Sequence, residues 1–137
     1  MIPDLQSSLL CDDVRQERNG KFMLIGLFEG LVVNQLPGMF PKICVVNRWC
    51  SGQGDFTQRT RIVSDDGRNR VCEGQPIPIK LESDLQTSTS VEVFMHLQFQ
   101  AEGNYWVEVL LNDQLKIRYP LAVRLAPKQP PQQQPQG

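Results

Sequence analysis

Side chains able to perform nucleophilic or acid–base chemistry are few and widely separated in this sequence. It contains one histidine, His96, and four cysteines: Cys11, Cys44, Cys50 and Cys72. A serine or cysteine nucleophile needs a neighbouring base, most often a histidine. His96 falls on the predicted outer face of a strand, and we interpret it as a surface residue. We therefore predict no catalytic residues and a protein that is not an enzyme.

The cysteines are dispersed, without a Cys-x-x-Cys pair. Zinc sites usually bring their ligands in such pairs, so we predict no metal centre and no cofactor. Residues 1–5 contain no basic residue and precede no long apolar run, so we expect no secretory signal. We place the protein in the cytoplasm, where free thiols behave as small apolar side chains.

Two adjacent acidic pairs, Asp12-Asp13 and Asp65-Asp66, suggest general acids or calcium ligands. Neighbouring strand residues point to opposite faces, so Asp12 and Asp13 do not share a ligand unless a bulge intervenes. Asp65-Asp66-Gly67 is typical of a hairpin turn. A calcium loop between strands stays open as an alternative. An enzyme would regain support if His96 lay beside Asp12, Asp13 or a cysteine within a cleft.

Four arginines surround one predicted hairpin: Arg59, Arg61, Arg68 and Arg70. Strand alternation puts Arg59 and Arg61 on one face, which we expect to face solvent, with an anion site as the alternative. The glycines match neither GxxxxGK(S/T) nor a GxGxxG that leads into a helix. The absence of both glycine-rich motifs argues against a nucleotide enzyme.

Composition describes an ordinary folded domain. The 137 residues carry 14 Lys plus Arg and 15 Asp plus Glu, a net charge of −1, and 40% are hydrophobic. Proteins that bind nucleic acid or anionic membranes by charge have an excess of Lys and Arg, so we predict neither partner. The longest apolar stretch, 22–33, is interrupted by Gly26, Glu29 and Gly30. It is shorter than the roughly 20 residues of a membrane-spanning helix.

The elements that position these side chains are predicted to be strands. In the first half we expect strands over 5–16, 22–33, 42–50, 56–63 and 70–72, then an edge strand or irregular connection over 75–82. Pro76 and Pro78 restrict that last segment. Asn19-Gly20 and Asp66-Gly67 are hairpin signals. The strand over 22–33 is expected to bend or bulge near Gly26 or Gly30.

The second half shows the clearest alternation of apolar and polar residues. The odd positions of 91–99, which we expect to be buried, are Val91, Val93, Met95, Leu97 and Phe99. Strands over 105–111 and 115–125 follow, joined by a two-residue turn at Asn112-Asp113. The inward residues expected on these two strands are Tyr105, Val107, Val109, Leu111, Leu115, Ile117, Tyr119, Leu121, Val123 and Leu125.

Short strands separated by turn signals at this spacing indicate an antiparallel sandwich or barrel. We predict one all-β domain over residues 1–126, an antiparallel β-sandwich of about eight strands with immunoglobulin-like character. Residues 127–137 contain four prolines and five glutamines, which predicts a disordered tail. The tail begins with the PxxP form of proline-rich ligands.

The first predicted hairpin resembles a known family. Leu9-Leu10-Cys11-Asp12-Asp13-Val14-Arg15, followed by Asn19-Gly20-Lys21 and Ile25-Gly26, is similar to the opening of a family of small bacterial proteins of unknown function. That opening reads (A/C)DxxR…(N/D)GKxxxIG. Leu36-Pro37 matches its LP step, and residues 102–109 with 119–123 are similar to its closing hairpin, which also looks like the last strands of immunoglobulin-like sandwiches. The resemblance covers residues 6–125 and implies a fold but no activity.

Apolar residues on predicted outer faces are the clearest functional signal. The second strand is apolar on both sides, and further apolar residues lie opposite the predicted core face of later strands. The candidate interface residues are Met23, Ile25, Leu27, Phe94, Trp106 and Leu110. A sandwich strand is polar on its outer face unless something covers it. Either a loop or bulge within the monomer accounts for this pattern, or these residues form a protein interface.

We therefore predict a non-enzymatic protein-interaction or assembly module that binds a protein partner or self-associates through an apolar sheet face. The alternative is a small-molecule or carbohydrate binder that uses Trp49, Tyr105 or Trp106 as a stacking platform. An exposed, concave aromatic groove would favour the alternative over a flat apolar patch.

Overall fold

A computed structural model describes residues 2–127, which form ten strands and no helix. The strands are β1 (Asp4–Gln16), β2 (Phe22–Phe28), β3 (Gly30–Val33), β4 (Gly38–Cys50), β5 (Gly54–Val63), β6 (Arg70–Glu73), β7 (Ile77–Leu81), β8 (Ser88–Phe99), β9 (Gly103–Leu111) and β10 (Gln114–Leu125). The predicted all-β class is confirmed, with ten strands instead of eight. Apart from Pro127, the predicted tail and its PxxP motif lie outside the described residues. Between residues 2 and 127 there is no helix with the length and apolar character needed to cross a membrane.

The strands form two sheets that pack face to face. Sheet A has the order β2-β1-β4-β8, and sheet B has the order β3-β10-β9-β5-β6, with β7 also paired to β5. Of the strand pairs in the described chain, β3 with β10 is parallel and the others are antiparallel. β7 pairs with residues 54–58 of β5 and β6 with residues 61–63. The segment predicted as an edge strand or irregular connection is therefore an edge strand.

The apolar run predicted as a single strand forms two strands in different sheets. β2 ends at Phe28 and β3 begins at Gly30, so the chain crosses from sheet A to sheet B at Glu29. Glycine suits the crossing, because a Cβ at Gly30 would make a tight contact of 3.1 Å with the carbonyl oxygen of Ala122. The break expected near Gly30 is thus a change of sheet. Leu31 and Val33 then join the core.

The hydrophobic core lies between the two sheets and draws on both. Its largest buried side chains include Trp49, Phe99, Ile43, Ile62, Leu97 and Leu121. Tyr105, Val107, Val109 and Leu111 of β9 face inward as predicted. On β10 the prediction is wrong for Leu115, Ile117 and Leu125, which are exposed. A register shift between Leu115 and Ile117 changes the phase of β10, and Leu125 is its last residue.

The alternation of β8 reverses in the middle of the strand. The buried residues of β8 are Ser90, Glu92, Phe94, Leu97 and Phe99. His96 has a positive φ of 55°, and Pro41, which has no N–H, lies between the paired residues on the opposing strand. The left-handed conformation at His96 rotates the strand, so the inward set passes from even to odd positions. The prediction that Val91, Val93 and Met95 face the core is therefore wrong. Val91 packs outside the core, against Cys44 and Val46, and the other two side chains are exposed.

The far half of the β1–β2 hairpin bends over the outer face of sheet A. Within the described chain, β1 pairs with β4 as far as Cys11 and beyond that point only with β2. Gly26, opposite Asp12, has a φ of +70°, which glycine adopts at little cost. Beyond this bend, Val14 and Leu24 pack against the outward side chains of sheet A. We refer to residues 13–25 as the flap.

Candidate functional site

An apolar cluster on the outer face of sheet A lies beneath the flap. Cys11 and Cys44 face each other across β1 and β4 and are almost fully buried beside Val46. Val14 and Leu24 of the flap pack against them. Burial raises the pKa of both thiols, which disfavours the reactive thiolate. These two thiols are free and behave as small apolar side chains.

An ion pair fastens the flap to β4. The Nζ atom of Lys42 lies 3.0 Å from Oδ1 of Asp13, and the backbone N–H of Val14 donates to the same oxygen. These hydrogen bonds, with that from Lys42 the stronger, lower the pKa of Asp13. Asp12 lies against Gly26 instead. The carboxylates of Asp12 and Asp13 therefore have different neighbours, as expected for adjacent strand residues whose side chains point to opposite faces.

β2 forms an exposed apolar edge of sheet A. Met23 is 48% exposed, Ile25 41% and Leu27 59%. β2 pairs with β1 on one side, and no strand of the described chain pairs with its other side. No charged residue occurs from Phe22 to Phe28. The edge therefore presents both unpaired backbone groups and apolar side chains to solvent.

The six predicted interface residues do not lie on one surface. Met23, Ile25 and Leu27 are together on β2 and are exposed. The prediction of an outward Phe94 is wrong, because the reversal at His96 directs this side chain into the core. Leu110 is on the outer face of sheet B, but it is buried between Arg59 and Leu115 on the neighbouring strands. Trp106 lies on the same face and is half-buried.

Trp106 is engaged within the monomer. The guanidinium of Arg118 lies 4.3 Å from the centre of the Trp106 ring, and the indole Nε1–H donates to Oδ1 of Asp65 at 3.1 Å. Both contacts cover polar and aromatic surface that a partner would otherwise contact. Trp106 is therefore a poorer candidate for a free binding residue than the side chains of β2.

Paired charges cover the outer face of sheet B. Arg61 Nε lies 2.7 Å from Oε1 of Glu108, and Arg59 Nη1 lies 3.5 Å from Oε1 of Glu73. Arg70 also pairs with Glu73. The arginine cluster seen in the sequence is therefore neutralised in large part by carboxylates. This supports the interpretation of a solvated face over an anion site.

The aromatic residues proposed as a stacking platform do not form a groove in the described part of the chain. Trp49 is fully buried, and Tyr105 is nearly so. The hydroxyl of Tyr105 donates to the carbonyl oxygen of Ala101 at 2.7 Å. With Trp106 beneath Arg118, none of the three rings is free to stack on a sugar or other flat ligand.

A hydrogen-bonded polar network lies inside the core and links the two sheets. Gln58 on β5 is its centre: Oε1 accepts from Trp49 Nε1 at 2.7 Å and from Ser90 Oγ at 2.8 Å. Its Nε2 donates to Oε1 of Glu92 at 2.7 Å. Trp49 and Ser90 belong to sheet A, as does Glu92. The network therefore fixes the position of one sheet relative to the other.

Two further polar residues extend this network. Nδ2 of Asn47 donates to Oγ1 of Thr60 at 3.2 Å, and both residues are fully buried. Burial raises the pKa of Glu92, although hydrogen bonds from Thr60 and Gln58 act in the opposite direction. A Cβ at Gly74 would collide with the Glu92 carboxylate, so glycine gives this carboxyl its space. Glu92 is thus a carboxyl whose neutral form the core favours.

Part of this network had a signal in the sequence. Because Arg59 and Arg61 were expected to face solvent, the same alternation directs Gln58 and Thr60 inward. Glu92 had no such signal, because the reversal at His96 makes it appear to face outward. The sequence analysis therefore did not name Gln58, Thr60 or Glu92 as candidate site residues.

Replacing Glu92 with glutamine is expected to stabilise the protein at about pH 8 but not at about pH 4. The folded pKa of Glu92 lies above its ordinary value of 4.5. The stability linked to its proton is therefore fully present below pH 4.5 and is lost as pH rises through the folded pKa. Glutamine keeps an oxygen for the Gln58 amide and carries no charge at any pH.

Urea unfolding of wild type and Glu92→Gln across this pH range measures the effect. Glu82→Gln, which removes an exposed carboxylate, is the matched control and should follow the wild-type curve. A stability difference between Glu92→Gln and wild type that does not change with pH would contradict the assignment.

Comparisons with known proteins give one family and structures of low similarity. No curated protein matches the chain. Part of the alkylpurine DNA glycosylase AlkC from Pseudomonas fluorescens, solved with DNA containing an abasic site analog, is similar at 13% identity and a TM-score of 0.47. The match covers 68% of this chain and 27% of AlkC, so the chain spans about a quarter of that protein's length.

An immunoglobulin-like protein from Pseudomonas aeruginosa is similar at 15% identity and a TM-score of 0.37, over 90% of this chain and 98% of that one. With TM-scores this low, neither likeness bears on what this chain binds. The sequence profile of a family of unknown function, DUF6941, matches residues 6–124. That range confirms the family resemblance of the first and last hairpins. The chain belongs to the family of unknown function DUF6941.

Proposed function

We propose that this protein is a non-enzymatic interaction module that assembles with a second copy of itself through the edge of β2. The observation that carries the proposal is a seven-residue edge strand that is uncharged, apolar and exposed. Such an edge offers its N–H and C=O groups to any strand that can approach it.

The other sheet edges are poorer templates for a partner strand. β3 and β6 have four residues each, and β7 has five and contains Pro78. Short edge strands and proline are devices by which proteins protect their edges. β8 is longer, but it contains the ionisable residues Glu92 and His96, and its side-chain alternation reverses at His96. β2 lacks charge and proline, and its pairing with β1 runs without a register shift.

A second copy suits this edge because β2 can pair with itself. In an antiparallel pair centred on Ile25, Met23 of one copy faces Leu27 of the other. Two-fold symmetry makes the pairing self-complementary. Because the strand is uncharged, the pairing brings no like charges together. It also covers apolar surface on both faces of the edge, where β2 side chains are about half exposed.

Light scattering coupled to size-exclusion chromatography tests the assembly over a concentration series. Wild type is expected to approach twice the 15.6 kDa chain mass as concentration rises. The double variant Met23→Lys/Leu27→Lys should stay at the mass of one chain, because like charges would then face each other across the pair. Leu115→Lys, at an equally exposed leucine of sheet B, should leave the dimer intact.

A mixture of oppositely charged variants distinguishes specific strand pairing from nonspecific hydrophobic association. Met23→Glu/Leu27→Glu alone should also be monomeric, but mixed with the double lysine variant it should form a heterodimer. The reason is that each introduced lysine then faces an introduced glutamate. A wild-type protein that stays monomeric at every concentration, or a dimer lost in Leu115→Lys, would overturn the assembly.

Other features support two parts of the proposal. The protein is not an enzyme, and its partner is a protein. His96 is exposed at the reversal of β8, whereas a general base works when a neighbouring group orients it. The net charge of −1 supports a partner other than nucleic acid or an anionic membrane. We also propose a cytoplasmic location, where buried thiols such as Cys11 and Cys44 stay reduced.

A further inference from the structure

A cleft separates the tip of the flap from the outer face of sheet A. Its lining includes Lys21, Phe22 and Leu24 of the hairpin and Val46, Arg48 and Thr89 of β4 and β8. The cleft has a volume of about 460 Å³, within the range of small-molecule sites. It exists because the bend at Gly26 carries the hairpin back over β4 instead of letting it continue along the sheet.

The two cations of this cleft are free to meet an anion. In residues 2–127, neither Lys21 nor Arg48 forms an ion pair. Arg48 donates from Nε to the hydroxyl of Thr89 at 3.2 Å, which orients the guanidinium and leaves its terminal nitrogens available. Among residues 2–127, none that lines the cleft carries a carboxylate. By contrast, the arginines on the outer face of sheet B face glutamates.

The inner wall of the cleft is apolar. Val46 belongs to the buried cluster of sheet A, and Leu24 packs against that cluster. Phe22, directly after the hairpin turn, contributes an exposed ring to the cleft. A ligand with an apolar chain would remove this surface from water, while its charged end remains beside Arg48 and Lys21.

We infer that the cleft binds a small amphipathic carboxylate, with its aliphatic chain on Val46 and Leu24 and its carboxylate on Arg48 and Lys21. A free molecule suits the site better than the end of a peptide. The backbone of β4 at Val46 already pairs with Leu9 on one side and Val91 on the other. A peptide main chain would therefore find no strand edge to pair with along the floor of the cleft.

Titration with decanoate below its micelle concentration, followed by amide chemical shifts in ¹H–¹⁵N spectra, tests the inference. We expect saturable shifts at Leu24, Val46 and Thr89. Arg48→Gln should weaken binding about tenfold, the loss of one charge-assisted hydrogen-bonded contact. Arg124→Gln, which removes an exposed arginine of sheet B, is the matched control and should bind as wild type.

Two related probes separate the charge from the chain. Butyrate keeps the carboxylate with a short chain, and decanol keeps the chain without the charge, so each should bind at least about tenfold more weakly than decanoate. The inference would be overturned if butyrate or decanol bound as tightly as decanoate, or if Arg48→Gln bound decanoate as tightly as wild type. Chemical-shift changes spread over both sheets would also overturn it.

The inference does not depend on dimer formation. Met23 and Leu27 do not line the cleft, so the double lysine variant should bind decanoate as wild type does even when it is monomeric. If the double lysine variant loses the dimer but still binds decanoate, the carboxylate site stands. If the protein dimerises but does not bind decanoate, only the carboxylate site is overturned.

Discussion

Replacing Gln58 with leucine is expected to lower the free energy of unfolding by about 3–5 kcal/mol. The change removes the acceptor for Trp49 Nε1 and Ser90 Oγ and the donor to Glu92. All of these groups lie in the core, where an unsatisfied polar group costs about 1–3 kcal/mol. Leucine fills the volume, so the loss reflects the broken network more than a cavity.

Urea unfolding followed by tryptophan fluorescence measures this loss, with a signal to which both Trp49 and Trp106 contribute. Gln98→Leu, at an exposed glutamine of β8, is the matched control and should change stability by no more than about 0.5 kcal/mol. A Gln58→Leu protein as stable as this control would show that the network does not stabilise the fold.

Replacing Phe94 with alanine is expected to cost about 3–5 kcal/mol, whereas Met95→Ala should cost less than about 1 kcal/mol. Phe94 is 9% exposed and packs in the main core cluster, while Met95, its neighbour on β8, is 55% exposed. Removing a buried ring leaves a cavity that the surrounding side chains fill only in part. The two adjacent substitutions thus report the direction of each side chain.

The urea midpoints of the two alanine variants decide which of the two side chains, Phe94 or Met95, faces the core. A larger loss in Met95→Ala than in Phe94→Ala would restore the simple alternation read from the sequence. The expected order also means that a polar substitution at Phe94 cannot test an interface, because it would damage the core. The exposed residues of β2 are the correct positions for that test.

The two sheets of this sandwich differ in the chemistry of their outer faces. Arg–Glu pairs and the Arg118–Trp106 contact cover sheet B. Sheet A carries an apolar cluster, an apolar edge and a cleft under the flap. This contrast is why we place both proposals, the strand-mediated dimer and the carboxylate site, on sheet A. They use different residues and are tested by separate measurements.

The local sequence determined the class of the fold, most strand positions and several turns. Alternation of apolar and polar residues and the turn chemistry of Asn-Gly and Asp-Gly act over a few residues, so they can be recognised without the rest of the chain. Asn112 and Asp113, for example, both adopt the positive φ expected of a two-residue hairpin turn. The motif of the first hairpin likewise identified the family.

Only the tertiary structure decided which side faces inward on the strands whose alternation is interrupted. The sequence predicted a bend near Gly26 or Gly30, but the division of 22–33 between two sheets and the reversal at His96 depend on what packs against those segments from distant parts of the chain. Gln58 and Glu92 are acceptable in the core because partners 32 and 34 residues away in sequence complete their hydrogen bonds. A local pattern carries no information about such partners, because burial and hydrogen bonding are set by contacts between segments that are remote in sequence.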